Sequence, residues 1–153
     1  MTHIPVLRDE SIDGLAIQSG DIIVDGTLGG GGHTFEIVRR FGSGVKVIGL
    51  DFDADAIDRA KSLIGELPHD TIFRTIGFQD MEKVLDDLNL AHVDRILLDL
   101  GLSSFQLEIA GRGFSFLKDE PLLMTMKKDP TDSDLTARDI VNTWEEKTLA
   151  DII

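Results

Sequence analysis

Short β-prone runs alternate with helical segments through the first hundred residues, and no other feature of the sequence constrains the fold as strongly. The predicted strands span residues 21–25, 45–51, 71–76 and 96–100. The predicted helices span residues 8–18, 34–41, 54–64 and 79–90. Strands separated by helices usually pair in parallel, with the helices covering both faces of the sheet. The sequence therefore predicts an α/β fold built on a doubly wound parallel sheet.

The pattern loosens after residue 100. Residues 127–134 are polar and contain Pro130, which is typical of a connector, and residues 135–153 have the pattern of the start of a helical region. A doubly wound sheet usually has more than four strands, so we expect the sheet of this chain to be incomplete.

Composition excludes several kinds of site. The 153 residues include no cysteine, which excludes disulfides, thiolate metal ligands and cysteine nucleophiles. The histidines are scattered, and we expect no metal. The N-terminus does not have the pattern of a signal peptide, and no apolar run approaches the roughly 20 residues of a membrane span. We therefore expect a cytoplasmic protein with no membrane contact.

The net charge of −13 bears on the class of ligand. It argues against a domain that holds nucleic acid by neutralising many phosphates, although a small basic patch could still grip such a substrate. An acidic protein is compatible with a cationic ligand such as a sulfonium.

Three aspartates stand at or beside predicted strand ends, where sheets of this kind bind ligands: Asp25, Asp51 and Asp99. Asp51 follows Gly29 by 22 residues, a spacing at which a carboxylate can accept both ribose hydroxyls of a nucleoside. Its alternative role is to cap the next helix, but Asp53 and Asp55 are available for that. For Asp99, local chemistry leaves a ligand role and a turn role equally open.

A run of glycines follows the first predicted strand, from Gly29 to Gly32, and a helix begins directly after it. Glycines allow a close approach of backbone to ligand, and the free N–H groups of the helix point to the same place. A nucleoside-triphosphate loop needs lysine and then serine or threonine, whereas His33 and Thr34 follow here. The dinucleotide fingerprint lacks one glycine in either frame, so an NAD-dependent oxidoreductase is a less favoured alternative.

Asp25 directly precedes this loop and favours a third ligand. A carboxylate beside a helix N-terminus is a poor neighbour for pyrophosphate, but it suits the ammonium and sulfonium groups of S-adenosylmethionine. We therefore predict that Asp25 and Gly29 belong to an S-adenosylmethionine site. A ligand-free tight turn is the alternative, and local chemistry alone assigns no role to His33.

Several motifs together resemble the bacterial 16S ribosomal RNA cytidine-N4 methyltransferases (the RsmH/MraW type). The similarity extends from about residue 3 to the end of the chain. The matching residues are His3-Ile4-Pro5-Val6-Leu7, Val24-Asp25-Gly26-Thr27, Gly29 to His33, Leu98-Asp99-Leu100-Gly101, Ser103-Ser104, Gln106-Leu107 and Arg112-Gly113-Phe114-Ser115-Phe116.

The resemblance implies a class I S-adenosylmethionine-dependent methyltransferase fold and methylation of one cytidine in the decoding region of the small ribosomal subunit. It implies a methyltransferase core over residues 1–126, then a connector and the start of an inserted helical domain over 127–153. It also implies cofactor-binding roles, beyond Asp25 and Gly29, for the matching residues Gly31, Gly32, His33, Asp51, Phe78, Asp99 and Gln106.

The chain departs from this family in three respects. Leu123 and Thr125 replace an aspartate and an arginine, and Phe105 replaces a proline. Family members also continue well beyond residue 153. We therefore expect the chain alone to be weakly active or inactive, and the second hypothesis is a non-catalytic module that binds S-adenosylmethionine or a nucleoside.

The reaction sets the remaining expectations. The N4 lone pair of cytosine is delocalised into the ring, so an enzyme must orient the amine toward the methyl group. We assign that role to Asp99, with Ser103 or Ser104. The base must leave its stack, and Phe105 or Phe114 could then stack on it.

Overall fold

The computed structural model describes residues 5–65, 70–102, 104–108 and 111–152, with the backbone alone at 104 and 108. The chain forms two compact units, Met1–Gly101 and Leu102–Ile153. The methyltransferase core over residues 1–126 stays a prediction.

The first unit is a parallel sheet with helices. Its helices are α1 (Arg8–Gly14), α2 (Gly32–Phe41), α3 (Ala54–Ile64) and α4 (Met81–Asp87). Its strands are β1 (Ile22–Asp25), β2 (Lys46–Asp51), β3 (Thr71–Thr75) and β4 (Arg95–Leu97). Short 3₁₀ helices span Gly42–Gly44 and Phe78–Asp80. All pairings are parallel, in the order β3-β2-β1-β4, which confirms the predicted α/β class and places β4 beside β1.

Side chains alternate between the two faces of the sheet. Ile23 of β1 packs with Ile37 of α2 on one face. Val24 packs with Val84 of α4 in a separate cluster. Because neighbouring strand residues point to opposite faces, these clusters place helices on both sides of the sheet, as predicted.

Some predicted boundaries differ from the observed ones. Helix α1 ends at Gly14 instead of residue 18, because Ala16 adopts a left-handed conformation with φ 48°. Strand β4 ends at Leu97, the partner of Asp25 in the parallel register. Strand β1 ends at Asp25, where the glycine loop begins, so β4 has no further strand residue to pair with. Asp99 therefore lies in a loop two residues beyond the strand.

Ion pairs join α1 and α2. The buried Glu36 carboxylate accepts hydrogen bonds from Arg39 Nε at 2.8 Å and Arg40 Nε at 2.6 Å. Arg40 also reaches Asp9 at 2.7 Å and Asp13 at 2.6 Å on α1. The hydrogen bonds from Arg39 and then Arg40 lower the pKa of Glu36 to about 2.

We expect Glu36→Gln to flatten the acid dependence of stability. The folded protein keeps Glu36 ionised down to a pKa of about 2, whereas the unfolded chain binds the proton near the ordinary value of 4.5. Stability from this group is present above 4.5 and is lost as the pH falls toward 2, by at most about 1.4 kcal/mol per pH unit. Urea titrations between pH 5 and 3 measure the slope. The exposed Glu82→Gln is the control, and equal slopes for wild type and Glu36→Gln would contradict this assignment.

The second unit contains α5 (Ser104–Glu108), α6 (Ala137–Thr143) and α7 (Glu146–Ile152). A capping box at Thr136 begins α6, so the predicted helical region after residue 135 is confirmed. Arg112 is buried and donates to the carbonyl oxygen of Met126. In the parts of both units that the structure describes, no helix is both long enough and apolar enough to cross a membrane.

Candidate functional site

The loop that follows β1 is hydrogen-bonded to the end of β2. The Gly29 N–H donates to Asp51 Oδ2 at 2.8 Å, and the Leu28 N–H donates to the Leu50 carbonyl at 3.0 Å. The structure thus brings together the glycine run and the strand-end carboxylate, which lie 22 residues apart in sequence.

Asp51 is half-buried, and its carboxylate can accept hydrogen bonds in addition to the one from the loop. Its Oδ1 accepts the Asp53 N–H at 2.9 Å, so each oxygen holds one backbone donor. Asp53 caps α3 by accepting the Asp55 N–H at 3.0 Å, which confirms that this helix does not need Asp51 as its cap. Burial raises the pKa of Asp51. A carboxylate oxygen has two acceptor lone pairs, so both oxygens can still accept a hydroxyl.

Gly31 and Ala60 allow the glycine loop to lie close against α3. Gly31 has φ +80°, and a Cβ at this position would lie 2.8 Å from the Ala60 Cβ. Both the left-handed backbone and the short distance require glycine here.

Gly31→Ala is expected to lower the free energy of unfolding by about 1–3 kcal/mol, because of the left-handed strain and the overlap with Ala60. Gly30→Ala is the matched control, since a Cβ at position 30 meets no atom within 4 Å and its φ is not left-handed. Denaturant unfolding measures both variants. Equal losses at positions 30 and 31 would show that the close packing on Ala60 is not what requires glycine.

Asp25 lies beneath the loop and has no exposed surface. The Thr34 hydroxyl donates to its Oδ2 at 2.7 Å, and the Thr27 N–H donates to its Oδ1 at 3.3 Å. Burial raises the pKa of Asp25. These contacts favour a role in holding the loop and the first turn of α2, and direct contact of Asp25 with a ligand stays a prediction. His33, 5 % exposed, lies in that same turn.

Two aromatic rings lie near the ends of β2 and β3. Phe78 and Phe52 remain 36 % and 40 % exposed. The Phe52 ring lies over Gly77, where an added Cβ would be 2.1 Å from its Cζ. The family resemblance predicted a role for Phe78. It did not point to Phe52, although this aromatic residue directly follows the strand-end Asp51. Half-exposed rings beside a carboxylate suit a flat base attached to a ribose.

Asp99 is exposed in the loop after β4, and its backbone N–H donates to Thr27 Oγ1 at 2.7 Å. The prediction for Ser103, and that for the side chain of Ser104, lie outside the described residues. Gln106 belongs to the second unit, where its Nε2 donates to Met126 Sδ at 3.0 Å. The roles assigned to these residues stay predictions.

The loops at this edge of the sheet carry negative charge, and two of their aspartates have a basic partner on a neighbouring helix: Arg59 lies 4.0 Å from Asp53, and Lys83 lies 2.6 Å from Asp80. The loops after the four strands, residues 26–31, 52–53, 76–80 and 98–101, contain aspartates but no lysine or arginine. The loops themselves supply no cation for a phosphate, whereas their carboxylates attract a cationic ligand. No group of histidine, aspartate or glutamate side chains among the described residues is arranged to hold a metal ion.

Comparisons with known proteins point to one family. The chain matches the profile of the MraW methylase family over residues 1–153. It is 47 % identical over 152 residues to ribosomal RNA small subunit methyltransferase H 1 of Acholeplasma laidlawii, covering 99 % of this chain and 49 % of that protein. It is 44 % identical over 153 residues to ribosomal RNA small subunit methyltransferase H of Syntrophobacter fumaroxidans, covering 100 % and 47 %.

A solved structure from Clostridium thermocellum, described as that of an rRNA-methylase, has a similar fold. The TM-score is 0.55 at 25 % identity, covering 68 % of this chain and 56 % of the other. The chain spans about half the length of the curated relatives that it matches.

Proposed function

Because this chain belongs to the MraW methylase family, we propose that it binds S-adenosylmethionine and serves to methylate the exocyclic N4 of a cytidine in the 16S rRNA of the small ribosomal subunit, in the cytoplasm. The observation that carries the proposal is the bond between Gly29 and Asp51 at an edge of the sheet that has no basic side chain in its loops. This bond joins a loop whose glycines let a ligand come close to the backbone with a carboxylate that can accept ribose hydroxyls.

The residues present fit this cofactor. Asp51 accepts the ribose hydroxyls, and the exposed rings of Phe52 and Phe78 offer apolar contact for the adenine. Gly29, Gly31 and Gly32, with His33, form the part of the site for the methionine end, and the buried Asp25 supports them from below. The bound cofactor supplies an electrophilic methyl group on a sulfonium.

The chain must then orient a weak nucleophile. In this proposal Asp99 would accept a hydrogen bond from the cytosine N4 amine and so turn the amine lone pair toward the methyl donor. The amine proton leaves to Asp99 or to water after transfer, so no strong base is required. From the sequence and the family resemblance we also propose that Ser103 or Ser104 assists in the reaction, that Gln106 contacts the cofactor, and that Phe105 or Phe114 stacks on the exposed base.

Calorimetric titration of the purified chain tests the cofactor. We expect S-adenosylmethionine and S-adenosylhomocysteine to bind and NAD to give no heat. Binding of NAD without either sulfur compound would overturn the proposal in favour of an oxidoreductase.

Transfer of labelled methyl groups separates an enzyme from a non-catalytic binding module. The replacement of the family's aspartate and arginine by Leu123 and Thr125 keeps that second candidate open. With the chain in excess over small-subunit particles, label in cytidine N4 supports the proposal. Cofactor binding without any transfer would favour the binding module.

A further inference from the structure

We infer that Thr27 is a positioning residue that holds Asp99 in place. The consequence of this inference for catalysis rests on the proposed function. The Thr27 Oγ1 accepts the backbone N–H of Asp99 at 2.7 Å, between residues 72 positions apart. A side chain of the glycine loop thereby holds the backbone of the loop that follows β4.

Hydrogen bonds to buried groups fix the position of Thr27. Its backbone N–H donates to Asp25 Oδ1 at 3.3 Å, and Asp25 is fully buried and accepts the Thr34 hydroxyl at 2.7 Å. The neighbouring Gly26 N–H donates to the Leu97 carbonyl at 3.0 Å. Because Thr27 is β-branched, few side-chain rotamers are open to it. The hydroxyl is therefore a defined acceptor connected to the first turn of α2.

The sheet does not extend far enough to hold Asp99. The register between β1 and β4 ends at the pair of Asp25 and Leu97, so Asp99 lies beyond the ladder. Residues 98–101 are exposed, which means that packing provides little support there. The Thr27 hydroxyl acts where strand pairing stops. A displacement of about 1 Å in a reacting group can cost roughly 100-fold in rate, so this bond matters for methyl transfer.

Thr27→Val tests the inference, because valine keeps the shape and replaces the acceptor oxygen by a methyl group. Thr27→Ser is the matched control, because it keeps the oxygen and loses the methyl. Amide hydrogen exchange by NMR reports directly on the Asp99 N–H in the full chain. We expect Asp99 to lose protection in the valine variant by about fivefold or more, as one hydrogen bond of about 1 kcal/mol is lost, and to regain it in the serine variant.

Single-turnover methyl transfer is the second measurement. We expect Thr27→Val to lower the rate by about tenfold or more and Thr27→Ser to restore most of it. The dissociation constant of S-adenosylhomocysteine should change by less than about threefold in both, which is under 1 kcal/mol. A loss of affinity equal to the loss of rate would indicate a general defect of the glycine loop and would overturn the positioning role.

The two measurements keep the inference and the proposed function separable. Unchanged protection of the Asp99 amide in Thr27→Val overturns the inference, whether or not the chain transfers methyl groups. Suppose that Thr27→Val loses protection, Thr27→Ser regains it, and the wild-type chain transfers no methyl group. This result supports the placement of Asp99 by Thr27. It overturns the catalytic role of that placement together with the proposed enzymatic function.

Discussion

Asp99→Asn is expected to slow methyl transfer by about 100-fold or more, the scale on which positioned acid–base groups and charge stabilisation act. Asparagine has nearly the same size as aspartate but carries no charge. Its amide can also present a donor, where the cytosine amine needs an acceptor. The backbone N–H of residue 99 keeps its bond to Thr27, so the loop stays in place. The loss should therefore be one of rate.

A single-turnover assay with the chain in excess measures this loss even if the wild type is slow. Calorimetry with S-adenosylhomocysteine should give a dissociation constant within about threefold of wild type, under 1 kcal/mol. Asp87→Asn removes the same charge at the exposed C-terminal end of α4, which has no part in the proposed site, and serves as the control. If Asp99→Asn transfers methyl groups at the same rate as the control, Asp99 takes no part in the reaction.

Asp51→Asn is expected to weaken cofactor binding by about 1–3 kcal/mol, or roughly 5- to 150-fold in the dissociation constant. The substitution removes a charged acceptor for the ribose hydroxyls. It also places an amide donor against either the Gly29 or the Asp53 N–H, both of which now donate to the carboxylate. Calorimetry gives the affinity.

Asp70→Asn is a suitable control for Asp51, because Asp70 directly precedes β3 at the opposite edge of the sheet, where it pairs with Lys46 at 3.6 Å. An affinity for Asp51→Asn that matches this control would remove Asp51 from the cofactor site. The pH dependence gives a second check. Burial raises the pKa of Asp51, so wild-type affinity should fall as the pH drops through that raised value, while Asp51→Asn should respond less over the same range.

The order and type of the elements were accessible from the sequence in the first unit. Strand β1 and helix α3 lie close to their predicted bounds, because continuous apolar runs and helical spacing of Ile57 and Ala60 are local signals. The residue at which β4 ends could not be predicted from the sequence. It depends on how many residues of β1 remain to pair, and that number is set by another part of the chain.

The candidate site shows the same division. Asp51 stood out because a carboxylate at a strand end is recognisable from spacing alone. Phe52 did not, because its position over Gly77 depends on two strands lying side by side. Asp25 is also recognisable as a strand-end carboxylate, but only the fold shows that it is fully buried and hydrogen-bonded to Thr27 and Thr34, and its contact with a ligand stays a prediction.

By itself, the sequence determined the parallel α/β class, the glycine loop and the acidic strand ends, because period, glycine content and charge are properties of neighbouring residues. Only the tertiary structure decided which of those residues are buried and which of them contact each other. The bond of Gly29 to Asp51 and that of Asp99 to Thr27 join residues 22 and 72 positions apart. Such contacts exist only after parallel pairing has brought the strand ends to one edge, and no local pattern encodes their geometry.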